Sequence, residues 1–503
     1  MSGKTIRGIL SVLGGRFGTL LLGVLITPLL VRILGSAQYG DYAFLMSVFG
    51  IAVTFSHAGM SAGIRKYIAE DRTSSDWQSR VFSFYGRLGI ILAIVVAGIL
   101  IISSLIIPVG RYFGDNFRLY FLLLALLIVA DQVFYISRYT LMGLHYESIS
   151  EPLTVLKKAI FGIVGLSLAY IGYDIAGVLM GLIIAAFTAG SIAFWKLRAR
   201  LNLQVIRSAI PDGFPRKELF MFNITNTVFI LLTISLYNVD LLLLQPLVGS
   251  HETGIYKAAL VVASFIWIAP RAIQTVFIHS SSKLWSQGRH DDITAMASKA
   301  TRFTIVFTLL LILGIAALAN EFMYLYFGSE FTEGVIPLLL LLPGVLGFAI
   351  ARPIFAIGQG KGALRTLIIG TGAAALINLI LNLLLIPRYG VVGAAVATSI
   401  GYGSMVVFHT ITASWIGYNP FSDHRIGRIA LTVLIATPFI FVPAYIIESR
   451  LLALSIVPPI GLFSYSIIAL RLRAIDASEV QMLTAPLPQQ LSLKADKIIR
   501  VLA

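Results

Sequence analysis

The chain has 503 residues, of which 58% are apolar and 12% charged, about half the roughly 25% charge of ordinary soluble domains. Apolar runs of about twenty residues follow one another, each long enough to cross a hydrocarbon core roughly 30 Å thick, and no stretch could supply the polar surface of a soluble fold. The absence of cysteine excludes disulfides, thiol catalysis and cysteine–zinc sites, and the net charge of +15 is carried by basic residues between apolar spans, so nucleic acid is not an expected partner.

The first apolar run, about 6–33, is too long for a signal-peptide core and no small-residue cleavage site follows, so it is expected to be the first membrane helix. Further spans are expected at about 42–63, 81–107, 119–142, 154–172, 175–195, 219–247, 255–280, 303–326, 335–357, 364–386, 391–415, 428–447 and 451–470, fourteen in all. The fold class is therefore all-α, a polytopic membrane protein. With the N-terminus in the cytoplasm, 27 of the 38 basic residues fall on the cytoplasmic side and five (Arg32, Arg111, Arg118, Arg388, Arg450) on the other. That imbalance follows the positive-inside rule and puts both termini in the cytoplasm.

An internal repeat sets the architecture. Leu34-Gly35-Ser36-Ala37-Gln38-Tyr39-Gly40-Asp41-Tyr42 is echoed by Val248-Gly249-Ser250-His251-Glu252-Thr253-Gly254-Ile255-Tyr256, 214 residues on. Tyr173-Asp174-Ile175-Ala176-Gly177 is echoed by Tyr389-Gly390-Val391-Val392-Gly393 at 216, and Gly143 by Gly358 at 215. Six helices separate the copies, an even number, so both have the same orientation: a parallel repeat around a central cavity. The expected organisation is a six-helix bundle over 1–195, a cytoplasmic linker over 196–218, a second bundle over 219–417, two additional helices over 418–471 and a tail over 472–503. In the tail, Leu491, Ala495, Ile498, Ile499 and Leu502 share one face opposite Lys494, Lys497 and Arg500, the pattern of an interfacial amphipathic helix.

Motifs for soluble catalysis are missing. Ser2-Gly3-Lys4-Thr5 lacks the upstream glycine and strand of a phosphate loop, Gly358-Gln359-Gly360-Lys361-Gly362 reads as a cytoplasmic turn, and the seven histidines have no metal-ligand spacing. No enzyme activity, cofactor or metal is expected. Charges inside the spans are more informative: Arg16, Asp131 with Arg138, Asp240, Arg271 after Pro270, and Arg352 before Pro353. A cation at the bilayer centre costs about 2.5–3.5 kcal/mol, so four arginines facing lipid would cost on the order of 10 kcal/mol and must instead face protein or a wet cavity. Arg16, Arg271, Arg138 and Arg352 are the candidate cationic, anion-binding residues, with Arg138 equally suited to pairing with Asp131. Asp131 and Asp240 are candidates for proton or sodium coupling, or are structural. Arg87, near a span end, is expected to snorkel to the headgroups.

The segments Val31-Arg32-Ile33-Leu34-Gly35, Tyr39-Gly40-Asp41-Tyr42, Ala58-Gly59-Met60-Ser61-Ala62-Gly63-Ile64-Arg65-Lys66-Tyr67, Asp240-Leu241-Leu242-Leu243-Leu244, Gly254-Ile255-Tyr256-Lys257-Ala258 and Gly390-Val391-Val392-Gly393-Ala394-Ala395 together resemble the prokaryotic polysaccharide (O-antigen type) lipid-linked oligosaccharide flippases. These belong to a superfamily with multidrug extruders and lipid II flippases, and the resemblance covers about residues 6–415. It implies two bundles opening alternately to each side of the cell membrane. It also implies movement of a polyprenyl- or dolichyl-linked glycan from the inner to the outer leaflet, alongside glycosyltransferases or a polymerase of the same pathway. Two other readings stay open: a cation-coupled small-molecule exporter of the same fold, and a non-transporting scaffold of glycan assembly.

Overall fold

The structure, a computed structural model, describes residues 3–70, 72, 76–106 and 113–484, with side chains from residue 11 to residue 481. The expected amphipathic tail helix around Leu491–Leu502 lies outside the described residues, as does Arg111. The described residues contain no strand. In chain order the helices are α1 (Gly3–His57), α2 (Met60–Ala69), α3 (Trp77–Ile106), α4 (Phe117–Gly143), α5 (Glu147–Ile160), α6 (Asp174–Arg198), the short α7 (Leu203–Arg207), α8 (Arg216–Val248) and α9 (Ser250–Phe265). They continue with α10 (Ile268–Ser286), α11 (His290–Ala317), α12 (Ala319–Tyr326), α13 (Val335–Lys361), α14 (Leu364–Ile416), α15 (Ile426–Ile446), α16 (Arg450–Arg471) and α17 (Ala477–Thr484).

Ten helical segments are long and apolar enough to cross a membrane, or eleven with α9 and α10 taken as one span bent by 53°. The expected fourteen are not reached as separate helices, because three of these segments run 52–59 residues without a loop. Each contains a residue in which the backbone leaves the helix: Gly35 (φ 69°, ψ 176°), Asp174 (φ 44°, ψ −131°) and Gly390 (φ 53°, ψ −129°). Glycine, which has no Cβ, takes positive φ readily, and this accounts for Gly35 and Gly390 at these points.

Those breaks also carry the repeat. Asp174 and Gly390, 216 residues apart, have nearly the same dihedrals. Gly35 and Gly249, 214 apart, both take positive φ, as do Gly114 and Gly328 at the same offset. The last pair belongs to Phe113-Gly114-Asp115-Asn116-Phe117 and Phe327-Gly328-Ser329-Glu330-Phe331, whose outer rings lie 5.3 and 5.7 Å apart in the two copies. The expected match of Gly143 with Gly358 is shifted: Gly143 packs against Arg65 and Ile68 of α2, whereas Gly360 packs against the corresponding Ile278, Ser281 and Ser282 of α10.

The chain forms two compact units, Met1–Gly254 and Ile255–Ala503, whose boundary falls inside α9. In the first unit a core of Tyr67, Trp77, Tyr85, Phe134 and Ile136 joins α2, α3 and α4. Leu201 and Phe214 of the expected surface linker are buried in that same core, while its arginines at 198, 200, 207 and 216 stay exposed. Arg87 does not snorkel: its Nη2 donates to the carbonyls of Ile206, Arg207 and Ser208, capping α7 at 3.0, 3.3 and 2.5 Å. The acceptors at a helix C-terminus are otherwise orphaned, so they compete well for a guanidinium. In the second unit α13 packs along α14, with Gly344 N donating to Ser399 Oγ at 2.9 Å. Helices α15 and α16 add a satellite core of Leu318, Ile440, Ala453 and Val457.

Candidate functional site

In the first unit α4 carries Asp131 and Arg138, and the neighbouring α5 carries Glu151, Thr154, Lys157 and Lys158. The two expected partners do not pair with each other. Lys157 forms an ion pair with Asp131, whose other oxygen lies 3.4 Å from His57 Nε2 at the end of α1. Arg138 donates to Glu151 at 2.9 Å, and the Glu151 side chain is only 3% exposed. Aromatic rings hold the pairs in place: His57 stacks on Tyr135 with centroids 3.5 Å apart, and Arg138 lies 5.1 Å from the centre of Tyr139. Each charge thus meets its counter-charge across the α4–α5 seam, which offsets the desolvation that isolated charges would suffer there.

A cavity of about 320 Å³ opens beside these pairs, lined among others by Thr19, Asp131, Tyr135, Arg138, Lys157 and Lys158. Arg16, exposed on α1, follows Gly15, which is pressed against Glu151, and precedes the cavity-lining Thr19 by three residues. Three cations (Arg138, Lys157, Lys158) therefore gather around two carboxylates (Asp131, Glu151), an excess of positive charge suited to an anion. Sequence reasoning placed Lys157 and Lys158 among topology-setting residues at a helix end and did not single out Glu151 or His57.

The second unit has its own group. Arg352 of α13 is 4% exposed and donates to Gln274 of α10 at 3.0 Å. Its guanidinium lies 5.1 Å from the centre of the Trp267 ring and 4.6 Å from that of Phe348. Arg271, exposed on α10, approaches the same indole at 5.6 Å. Trp267 is fixed by its own Nε1, which donates to the Val345 carbonyl at 3.1 Å. Two arginines from different helices thus approach one indole, a contact that suits a cation to the face of a ring. Asp240 of α8, in the first unit, is fully buried and accepts from the Leu241 amide at 2.8 Å. A further cavity of about 650 Å³ in the second unit is apolar, with Phe277, Phe303, Phe307, Leu310 and Leu462 in its lining. No cluster of three or more His, Asp or Glu side chains among the described residues could hold a metal.

Charged groups set among long apolar helices make this a polytopic helical membrane protein. The chain belongs to the polysaccharide biosynthesis protein family, whose model matches residues 5–278. Among curated proteins it is 22% identical over 416 residues to a probable low-salt glycan biosynthesis flippase of Haloferax volcanii, covering 82% of this chain and 84% of that one. It is 24% identical over 267 residues to a capsular polysaccharide biosynthesis protein of Staphylococcus aureus, covering 51% and 66%. Among solved structures its fold matches the lipid II flippase MurJ in an inward closed conformation with a TM-score of 0.72, at 19% identity over 92% of this chain and 98% of that one. A MATE transporter of Vibrio cholerae in its bent form matches at 0.56, with 13% identity over 84% of this chain and 98% of that one.

Proposed function

We propose that the chain is a flippase that moves a lipid-linked oligosaccharide or polysaccharide precursor from the cytoplasmic to the outer leaflet by alternating access. The observation that carries this reading is the excess of cations around the cavity of the first unit, in a member of a polysaccharide biosynthesis family. A lipid-linked glycan is anionic at its phosphate, and guanidinium suits phosphate because its planar fork donates paired hydrogen bonds and keeps its charge when poorly hydrated. Arg16, Arg138, Arg271 and Arg352 are the proposed head-binding residues, joined by Lys158. The apolar cavity of the second unit has the chemistry that an isoprenoid tail requires. Coupling to a proton or sodium gradient, and work alongside glycosyltransferases of the same pathway, belong to the same proposal.

The relative of Haloferax volcanii supports the substrate class, and the charge balance favours it over a cation-coupled drug exporter. Asp131, one of the two carboxylates (with Asp240) that such an exporter would use, already holds Lys157. The test is glycan reaching the outer surface of a flippase-null strain, normalised to the amount of this protein in the membrane. Arg271→Gln and Arg16→Gln should each lower export tenfold or more, with Arg271→Lys and Arg16→Lys retaining part of it. Well-inserted glutamine variants with full export would leave these arginines structural.

A further inference from the structure

One face of α6 is apolar and exposed. Ile184, Phe187 and Trp195 fall within about 80° of one another around the helix axis, at 3.6 residues per turn, with Phe187 66% exposed and Trp195 51%. Arg198 continues the same face at the close of the helix, and Lys196 and Arg200 flank it. An apolar stripe thus ends in three cations.

Aromatic rings position those cations. Lys196 Nζ lies 4.6 Å from the centre of the Trp195 ring, and the Arg198 guanidinium lies 5.5 Å from it. The Arg200 guanidinium lies 4.1 Å from the centre of Tyr146, an exposed ring just before α5. Arg200 Nη1 also donates to the Lys196 carbonyl at 2.6 Å. It thereby covers an acceptor at the α6 C-terminus, where orphaned carbonyls would otherwise repel an anion. Among the described residues none of the three cations forms an ion pair, whereas Arg72, Arg289 and Arg425 each meet a carboxylate.

We propose that this patch binds the headgroups of anionic phospholipids and holds the start of the 196–218 linker at the bilayer surface. The proposal goes beyond the flippase reading and does not depend on it. An exposed indole at the end of an apolar stripe settles at headgroup level, because its ring is apolar and its N–H is polar. Beside it, long basic side chains keep their stems on apolar surface and their charges among the headgroups. Each Lys or Arg near an anionic bilayer strengthens binding roughly fivefold. A soluble anion would meet the same charges and leave the stripe bare, whereas a lipid covers both with one molecule. The stripe runs about 16 Å along α6 from Ile184 to Trp195, which places most of it among acyl chains and out of reach of an acidic protein docked at the surface.

The test reads Trp195 itself. Full-length protein is reconstituted in phosphatidylcholine vesicles in which about one lipid in ten is brominated, as either phosphatidylglycerol or phosphatidylcholine. The chain has five tryptophans, so the Trp195 signal is the difference between matched proteins with and without Trp195→Phe. That signal should be quenched at least twofold more by brominated phosphatidylglycerol than by brominated phosphatidylcholine. Lys196→Gln, Arg198→Gln and Arg200→Gln together should abolish the preference. Arg207→Gln, Arg216→Gln and Lys217→Gln together remove the same charge elsewhere in the linker and should leave it intact. Equal quenching by the two lipids in the parent protein would overturn the proposal and leave the patch to an acidic protein or a soluble anion. A preference that survives the first triple substitution, or one that the second abolishes equally, would reveal diffuse charge in place of a site and would overturn it too.

Discussion

Arg302 of α11 has a fully buried side chain and is held by carboxylates from two other segments, Asp423 before α15 and Glu479 of α17. Removing a guanidinium from such a place leaves buried acid uncompensated, which generally costs about 3–5 kcal/mol. Asp423 is half exposed, so Arg302→Met should cost less, roughly 2–3 kcal/mol by the same reasoning. The expected readout is a lower melting temperature of the detergent-solubilised protein. Adding Glu479→Gln to Arg302→Met should restore part of the loss, and a double variant no more stable than the single would show that the pair does not act as a unit. Lys157→Ala and Asp131→Ala should behave in the same way. At this scale the sequence showed which charges lie inside spans but not whom they meet. Asp131 and Arg138 share a helix face, yet seven residues raise the chain by about 10 Å, too far for a short pair. Each therefore pairs across the seam to α5. Glu151 sits before the apolar run that marked the fifth span, at about 154, so a hydropathy boundary hid it; Lys157 and Lys158 fell just inside that boundary and were counted as flanking charge.

Individual elements were legible where a hydrophobic run ended in charge, as at the close of α6 with Lys196 and Arg198, and illegible where a helix turned without a polar loop. The region 161–173 contains two π-helical turns, Phe161–Gly165 and Ala169–Tyr173, which hydropathy does not register and which often mark places where a helix is under local demand. The linker shows the opposite case. Its charge drew attention, while Leu201 and Phe214, the residues that dock it, are isolated apolar positions. At the other end of the chain, α17 is tied down by charge. The hydrogen bond from Arg425 to Asp476, 2.7 Å long, holds the Asp476 carboxyl below its ordinary value of 3.8. A carboxyl depressed in the folded state contributes stability above its unfolded pKa and loses it as pH falls through the folded value. Asp476 is substantially exposed, so solvent screening keeps the contribution small. A spin label at Gln481→Cys should keep constant mobility from pH 8 to 5 and loosen below about pH 4, the carboxylate range. Asp476→Asn should give the loosened spectrum at every pH. A label insensitive to both acid and the substitution would show that other contacts hold α17.

For the whole molecule, the repeat was the most informative feature of the sequence, because backbone geometry has been retained where side chains have diverged. Asp174 and Gly390 share dihedrals without sharing a residue type, and Phe113-Gly114 and Phe327-Gly328 share both. An even number of spans between copies makes the repeat parallel, and with it the charge imbalance should apply to both copies in the same sense. We infer from this that the 196–218 linker faces the cytoplasm and that the segments flanking Gly35, Gly249 and Gly390 face the outside. Ser208, exposed in the linker, and Tyr389, 61% exposed beside the second repeat's kink, are suited to a paired test. In intact cells an impermeant maleimide should label Tyr389→Cys and leave Ser208→Cys unlabelled until the membrane is permeabilised. Labelling in the reverse order would invert the topology.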